Sequence, residues 1–97
     1  MFEVRSTPEF LTWLAKTSGQ AKKRVLARIS NMEDGNFGDH KSVGSGVSET
    51  RIHSGPGYRL YYTTVGKAVI VLLVGGDKSS QENDIKRAQK LVEALKH

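Results

Sequence analysis

The chain contains no cysteine, which excludes a disulfide framework and any thiolate metal site. No apolar run is long enough to cross a bilayer. Met1-Phe2-Glu3-Val4-Arg5 lacks the basic-then-apolar order of a secretory signal. A soluble, cytoplasmic protein with no membrane partner is therefore expected. The three histidines, His40, His53 and His97, have no metal-ligand spacing, and no Ser–His–Asp set follows from spacing. Gly44-Ser45-Gly46 has no following lysine and does not open a helix after a strand, so it is no phosphate loop. Linkers, internal repeats and low-complexity tracts are missing as well. A length of 97 residues suits one domain, 1–97, around one core.

What the chain does have is positive charge: fifteen Lys and Arg against ten Asp and Glu, a net of +5. Residues 1–40 carry a net of +1 and residues 41–97 a net of +4. Such an excess favours a phosphate-bearing partner through attraction and counterion release. A solubilising surface charge reads equally well from the total alone.

Phe2-Glu3-Val4-Arg5 alternates as a short strand does. Thr7-Pro8 opens a helix as N-cap and first helical residue, with Phe10, Leu11, Leu14 and Ala15 as its inner stripe. Ser18-Gly19 ends it, and Ala21, Val25, Leu26, Ile29 and Met32 mark a second helix packed as an antiparallel hairpin. Asp34-Gly35-Asn36 stops that helix, and a Gly-rich segment runs from Phe37 to about Gly46. Val47–His53 and Tyr58–Val65 read as strands joined by the turn Ser54-Gly55-Pro56-Gly57. Ala68–Val74 is apolar throughout, as in a strand covered on both faces. Ser79-Ser80-Gln81-Glu82 resembles a capping box, and Ile85, Ala88, Val92 and Leu95 line a last helix. The predicted order is β-α-α-β-β-β-α.

Strand alternation places Glu49, Arg51 and His53 on one face and Arg59 and Tyr61 on one face of the next strand. A register that brings Arg51 and Arg59 together would gather all five, with Lys78 closing one end. Each has a plainer reading. Glu49 and Arg51 also suit a solvated surface pair, Tyr61 an ordinary strand tyrosine, and Lys22-Lys23-Arg24 the wet face of the second helix.

The element order, with Gly57-Tyr58-Arg59-Leu60-Tyr61-Tyr62 and Val74-Gly75-Gly76-Asp77-Lys78-Ser79, resembles the RelE/ParE superfamily of bacterial toxins. The blocks Gly38-Asp39-His40-Lys41, Gly44–Ile52, Gly75–Ser79, Asp84-Ile85 and Arg87-Ala88 resemble its HigB-like branch, the addiction module killer proteins. The resemblance covers nearly the whole chain. It implies an α+β fold with a mainly antiparallel sheet, an N-terminal helical hairpin and a C-terminal helix. It also implies a ribosome-dependent mRNA endonuclease needing no metal or other cofactor, in a type II toxin–antitoxin system. A HigA-like helix-turn-helix antitoxin would neutralise it.

In such enzymes a 2′-hydroxyl attacks the adjacent phosphate, leaving a cyclic phosphate and a 5′-hydroxyl. The resemblance assigns Arg59 and Arg51 to the phosphate and Lys78 to the transition state or leaving group. Lys41, His53 and Tyr61 fall to RNA contact, and Lys22 and Lys23 to docking on ribosomal RNA. Glu49 stands where some members have a lysine base, and either proton acceptance or orientation of Arg51 fits it. Asp84 falls near the place of a C-terminal aromatic or histidine that acts in several relatives. A ParE-like gyrase poison and a non-catalytic RNA- or partner-binding domain are the alternatives on the same fold.

Overall fold

A computed structural model describes residues 1–96; His97 lies outside them. Strand β1 (Glu3–Ser6) leads into α1 (Pro8–Lys16) and α2 (Gly19–Glu33). Strands β2 (Asp39–Gly44), β3 (Val47–Ile52), β4 (Tyr58–Val65) and β5 (Val69–Gly76) follow, then a 3-10 turn (Lys78–Ser80) and α3 (Gln81–Leu95). The five strands form one sheet in the order β1-β5-β4-β3-β2. Among the described residues only β1 and β5 pair in parallel; the other neighbours are antiparallel. The expected α+β architecture holds, with one strand more than the sequence pattern predicts.

That strand is β2, which occupies the segment read as a Gly-rich connection. Its composition hides it, because Asp39-His40-Lys41-Ser42 is polar and all four residues are exposed. An edge strand tolerates such residues, and charge there discourages pairing with other chains. Gly44-Ser45-Gly46 is the hairpin turn joining it to β3. All three residues have positive φ, Ser45 at 56°, a region that glycine enters without steric cost.

The sheet separates two apolar layers. On one side α1 and α2 bury Phe10, Val25 and Met32 against Ile52, Leu60, Tyr62, Ile70 and Leu72. On the other, α3 sets Ala88 and Val92 against Val47, Tyr61, Leu73 and Val74. The apolar run of β5 is thus covered on both faces, as predicted. The β4–β5 register shifts between Tyr61 and Tyr62, and Leu73 and Val74, neighbours in sequence, both join the α3 side.

The helix ends confirm one capping expectation and correct another. Thr7 Oγ1 accepts the Phe10 N–H at 3.0 Å and donates to the Leu73 carbonyl at 2.6 Å. One hydroxyl therefore caps α1 and fastens it to β5. At the other end, Ser79 and Glu82 do not form the expected capping box. Asp77 caps the 3-10 turn instead, accepting from the Ser79 N–H at 2.8 Å, and Ser80 completes the box. Within α1, Leu11 and Ala15 are exposed, and Trp13 packs inward with Phe10 and Leu14. The inner stripe therefore runs along i, i+3 and i+4 from Phe10. Leu95, expected inside α3, is exposed near its end.

Gly75 and Gly76 close β5 with no side chain on either face. A methyl group on Gly75 would lie 2.1 Å from the Trp13 ring, and one on Gly76 would lie 1.9 Å from Asp84 Oδ2. Trp13 and Asp84 occupy the space that ordinary strand residues would fill.

Candidate functional site

Strands β2, β3 and β4 bring the cluster together through their register. Arg51 stands opposite Arg59, Glu49 opposite Tyr61, and Lys41 opposite Glu49 from the other side. Because facing residues in a ladder share a side of the sheet, these groups all meet on the α3 side. The expected convergence of Glu49, Arg51, Arg59 and Tyr61 is present, and Lys41 joins it from the edge strand.

Glu49 is the hub. Its side chain is 0% exposed, and an isolated carboxylate so placed would lose several kcal/mol of hydration. Four donors surround it instead. Arg51 Nε donates to Oε1 at 2.9 Å, and Lys41 Nζ lies 3.9 Å from the same oxygen. Gln81 Nε2 donates to Oε2 at 3.3 Å, and Arg59 Nε lies 3.8 Å away. The Arg59 contact is one of charge only, since that Nε is buried without a hydrogen-bond partner among the described residues. Three cations around one carboxylate leave the cluster positive, which suits a phosphate rather than a neutral or acidic ligand.

The arginines differ in cover. The Arg51 side chain is 31% exposed and that of Arg59 9%, so Arg51 is the more open of the two. Arg59 donates through Nη1 to the Gly57 carbonyl at 3.0 Å, which steers its guanidinium toward the β3–β4 turn. Lys78 is exposed in the 3-10 turn, and its N–H reaches the Pro56 carbonyl at 3.4 Å. A single point above Gly57 lies 3.6 Å from Arg59 Nη1 and 3.8 Å from Lys78 Cβ. The start of the Lys78 side chain therefore lies near Arg59.

Tyr61 corrects an expectation. It is fully buried, so its ring is closed to a base, and its hydroxyl has no hydrogen-bond partner among the described residues. Burial first, then the nearby Glu49 and Asp84 carboxylates, hold its ionisation well above the usual phenol range. It stays a neutral phenol. His53 is exposed just beyond β3, with Nε2 2.6 Å from Asp39 Oδ2. That hydrogen bond lowers the Asp39 carboxyl below its ordinary value, against a smaller opposing effect of desolvation. Lys22 and Lys23 lie on α2, whose core face packs on the opposite side of the sheet, and do not join the cluster.

Three residues outside the predicted set support the site. Gln81, the first residue of α3, reaches Glu49 across 32 positions. Asp84 is buried; it accepts from Ser80 Oγ at 2.5 Å and pairs with Arg87 at 3.7 Å. Arg28, from the helical side, donates to the Arg51 carbonyl at 2.7 Å and to Thr50 Oγ1, holding the β3 backbone from behind. No local pattern signals the long-range contacts of Gln81 and Arg28.

The fold is shared with the RelE toxin of E. coli. The isolated RelE toxin of E. coli superposes with a TM-score of 0.68 over 90% of this chain and 98% of its own, at 14% identity. The intact E. coli RelBE toxin–antitoxin complex gives 0.67 over 79% and 96%, at 12% identity. Residues 12–95 match the family described as "Phage derived protein Gp49-like (DUF891)", and the chain belongs to that family. An uncharacterized protein of Haemophilus influenzae is 44% identical over 94 residues, which are 96% of this chain and 95% of its own.

Proposed function

We propose that this chain is the toxin of a type II toxin–antitoxin system and cleaves mRNA on the ribosome without a metal ion. The observation that carries the reading is the cross-strand pair of Arg51 and Arg59 beside Lys41 and Lys78, on a fold shared with RelE. In the proposed reaction a ribose 2′-oxygen attacks the adjacent phosphorus as the bond to the 5′-oxygen breaks. The products are a 2′,3′-cyclic phosphate and a 5′-hydroxyl. The phosphorane carries more negative charge than the starting diester, and fixed guanidinium groups stabilise that excess. Arg59 and Arg51 hold the phosphate, and Lys78 faces the leaving oxygen. Lys41 and His53 contact the RNA backbone at the rim, and Lys22 and Lys23 meet ribosomal RNA from α2. Assignment to the HigB-like branch makes a helix-turn-helix antitoxin the partner and the cytoplasm the site of action.

Toe-printing on ribosomes programmed with a defined mRNA tests this. The wild-type chain should cut in the A site, and Arg59→Ala should leave the mRNA whole. Intact mRNA together with an induced DNA-damage response would overturn the reading in favour of gyrase poisoning.

A further inference from the structure

We infer that Glu49 is a positioning residue rather than a proton acceptor, and that Gln81 is a second positioning residue of the same site. The inference rests on the nuclease reading for its kinetic part and on geometry alone for the rest.

A general base needs an oxygen lone pair within hydrogen-bond reach of the proton it takes. Glu49 offers none to solvent. Its carboxylate is fully buried, with Oε1 held by Arg51 Nε at 2.9 Å and faced by Lys41 at 3.9 Å. Its Oε2 is held by Gln81 at 3.3 Å and faced by Arg59 at 3.8 Å. In both arginines it is the inner nitrogen, Nε, that faces the carboxylate. The two Nη groups of Arg51 and the Nη2 group of Arg59 then remain for the ligand. Among the described residues, Arg51 hydrogen-bonds only through Nε, and Arg59 only through Nη1 to Gly57. A planar guanidinium held along one edge presents the other in a fixed direction, the geometry that two-point phosphate binding needs.

Gln81 adds the link to Lys78. It ends the 3-10 turn that bears Lys78 and begins α3. Its amide bond to Glu49 is thus a direct tie between that turn and the carboxylate holding the arginines. Asp77 and the Ser80–Asp84 bond stiffen the turn internally. Only Gln81 joins it to Glu49 by a side-chain hydrogen bond among the described residues.

The test pairs a measurement on the protein alone with one on the reaction. By NMR, the Arg51 Nε–H should exchange slowly with water in the wild type. Loss of a hydrogen bond to a charged group should speed it about tenfold in Gln81→Ala, which frees the carboxylate to move. Gln81→Lys, which keeps a donor, should restore much of the protection. In single-turnover cleavage, Gln81→Ala should lower the rate constant about tenfold or more with little change in half-saturation, the mark of lost alignment. Its pH profile, and that of Glu49→Gln, should keep the wild-type shape at a lower level. Disappearance of the acid limb in Glu49→Gln alone would make Glu49 the base and overturn the inference. Unchanged Arg51 exchange in Gln81→Ala would overturn the role of Gln81, whether or not the wild type cleaves RNA. If the wild type fails to cleave, the nuclease reading falls while the exchange data still decide the positioning claim.

Discussion

Arg51 and Arg59 face each other across the β3–β4 ladder with both Nε atoms turned toward the Glu49 carboxylate. Two like charges in that position repel unless an anion lies between them. Glu49 supplies it from below, and a phosphate would supply a second from outside.

Arg59→Lys should separate charge from shape. Lysine keeps the positive charge near Glu49 and loses the planar fork. Cleavage should fall by about a hundredfold, the scale for loss of one oriented donor to transition-state charge, while the thermal midpoint moves little. Equal activity would mean that the site needs only a point charge.

Lys41→Ala should act on affinity. Lys41 is 57% exposed at the rim, well placed for a phosphate outside the reacting centre. Binding to single-stranded RNA should weaken at every sequence, and the slope of log K against log salt should flatten by about 0.7. A titration at three or more salt concentrations gives the slope directly.

Gly76→Ala should destabilise by about 1–3 kcal/mol, the usual cost of forcing a methyl group into filled space. The added carbon would meet Asp84 Oδ2 at 1.9 Å and Ser80 Oγ at 2.9 Å. Combining it with Asp84→Ala should recover part of that loss in urea unfolding, giving a coupling of about 0.5–3 kcal/mol. Strict additivity would show that the strand end moves aside instead.

Asp77 should contribute to acid sensitivity. Its carboxyl is held below the ordinary 3.8, chiefly by the Ser79 hydroxyl and also by the Ser79 and Ser80 N–H groups. A depressed carboxyl adds stability above the unfolded-state value of 3.8, and this is lost as pH falls through the lower folded value. Asp77→Asn should therefore flatten the acid limb of the stability–pH curve below about pH 4. An unchanged acid limb would assign the loss to other carboxylates.

Much of the fold was legible in the residues. Thr7-Pro8, the β-branched runs at 47–52 and 58–65 and the apolar 69–74 all specify local structure by pattern, and each element lies where that pattern sets it. Strand β2 escaped because an exposed edge strand lacks the alternation that burial imposes. The capping residue was misplaced for a different reason. Asp77, Ser79 and Ser80 are all good caps, and the choice depends on where β5 delivers the chain.

The site was legible in part. Alternation fixed which side chains share a face, and the register supplied Arg51 opposite Arg59. The depth of burial did not follow from strand pattern, because α3 covers the face from 30 residues downstream. This is why Tyr61 was read as open and Gln81 was passed over. Arg28 was likewise invisible, since its bonds to β3 cross from one layer to another.

The two glycines at the end of β5 make the sheet there no thicker than its own backbone. Trp13 bears on one side and Asp84 on the other, on consecutive residues. Trp13 also packs edge-on against Tyr58, with ring centroids 6.3 Å apart, next in the chain to Arg59. The indole is therefore a rivet head: displacing it should loosen the end of β5 that leads into Lys78's turn and the root of the Arg59 strand from the back of the molecule.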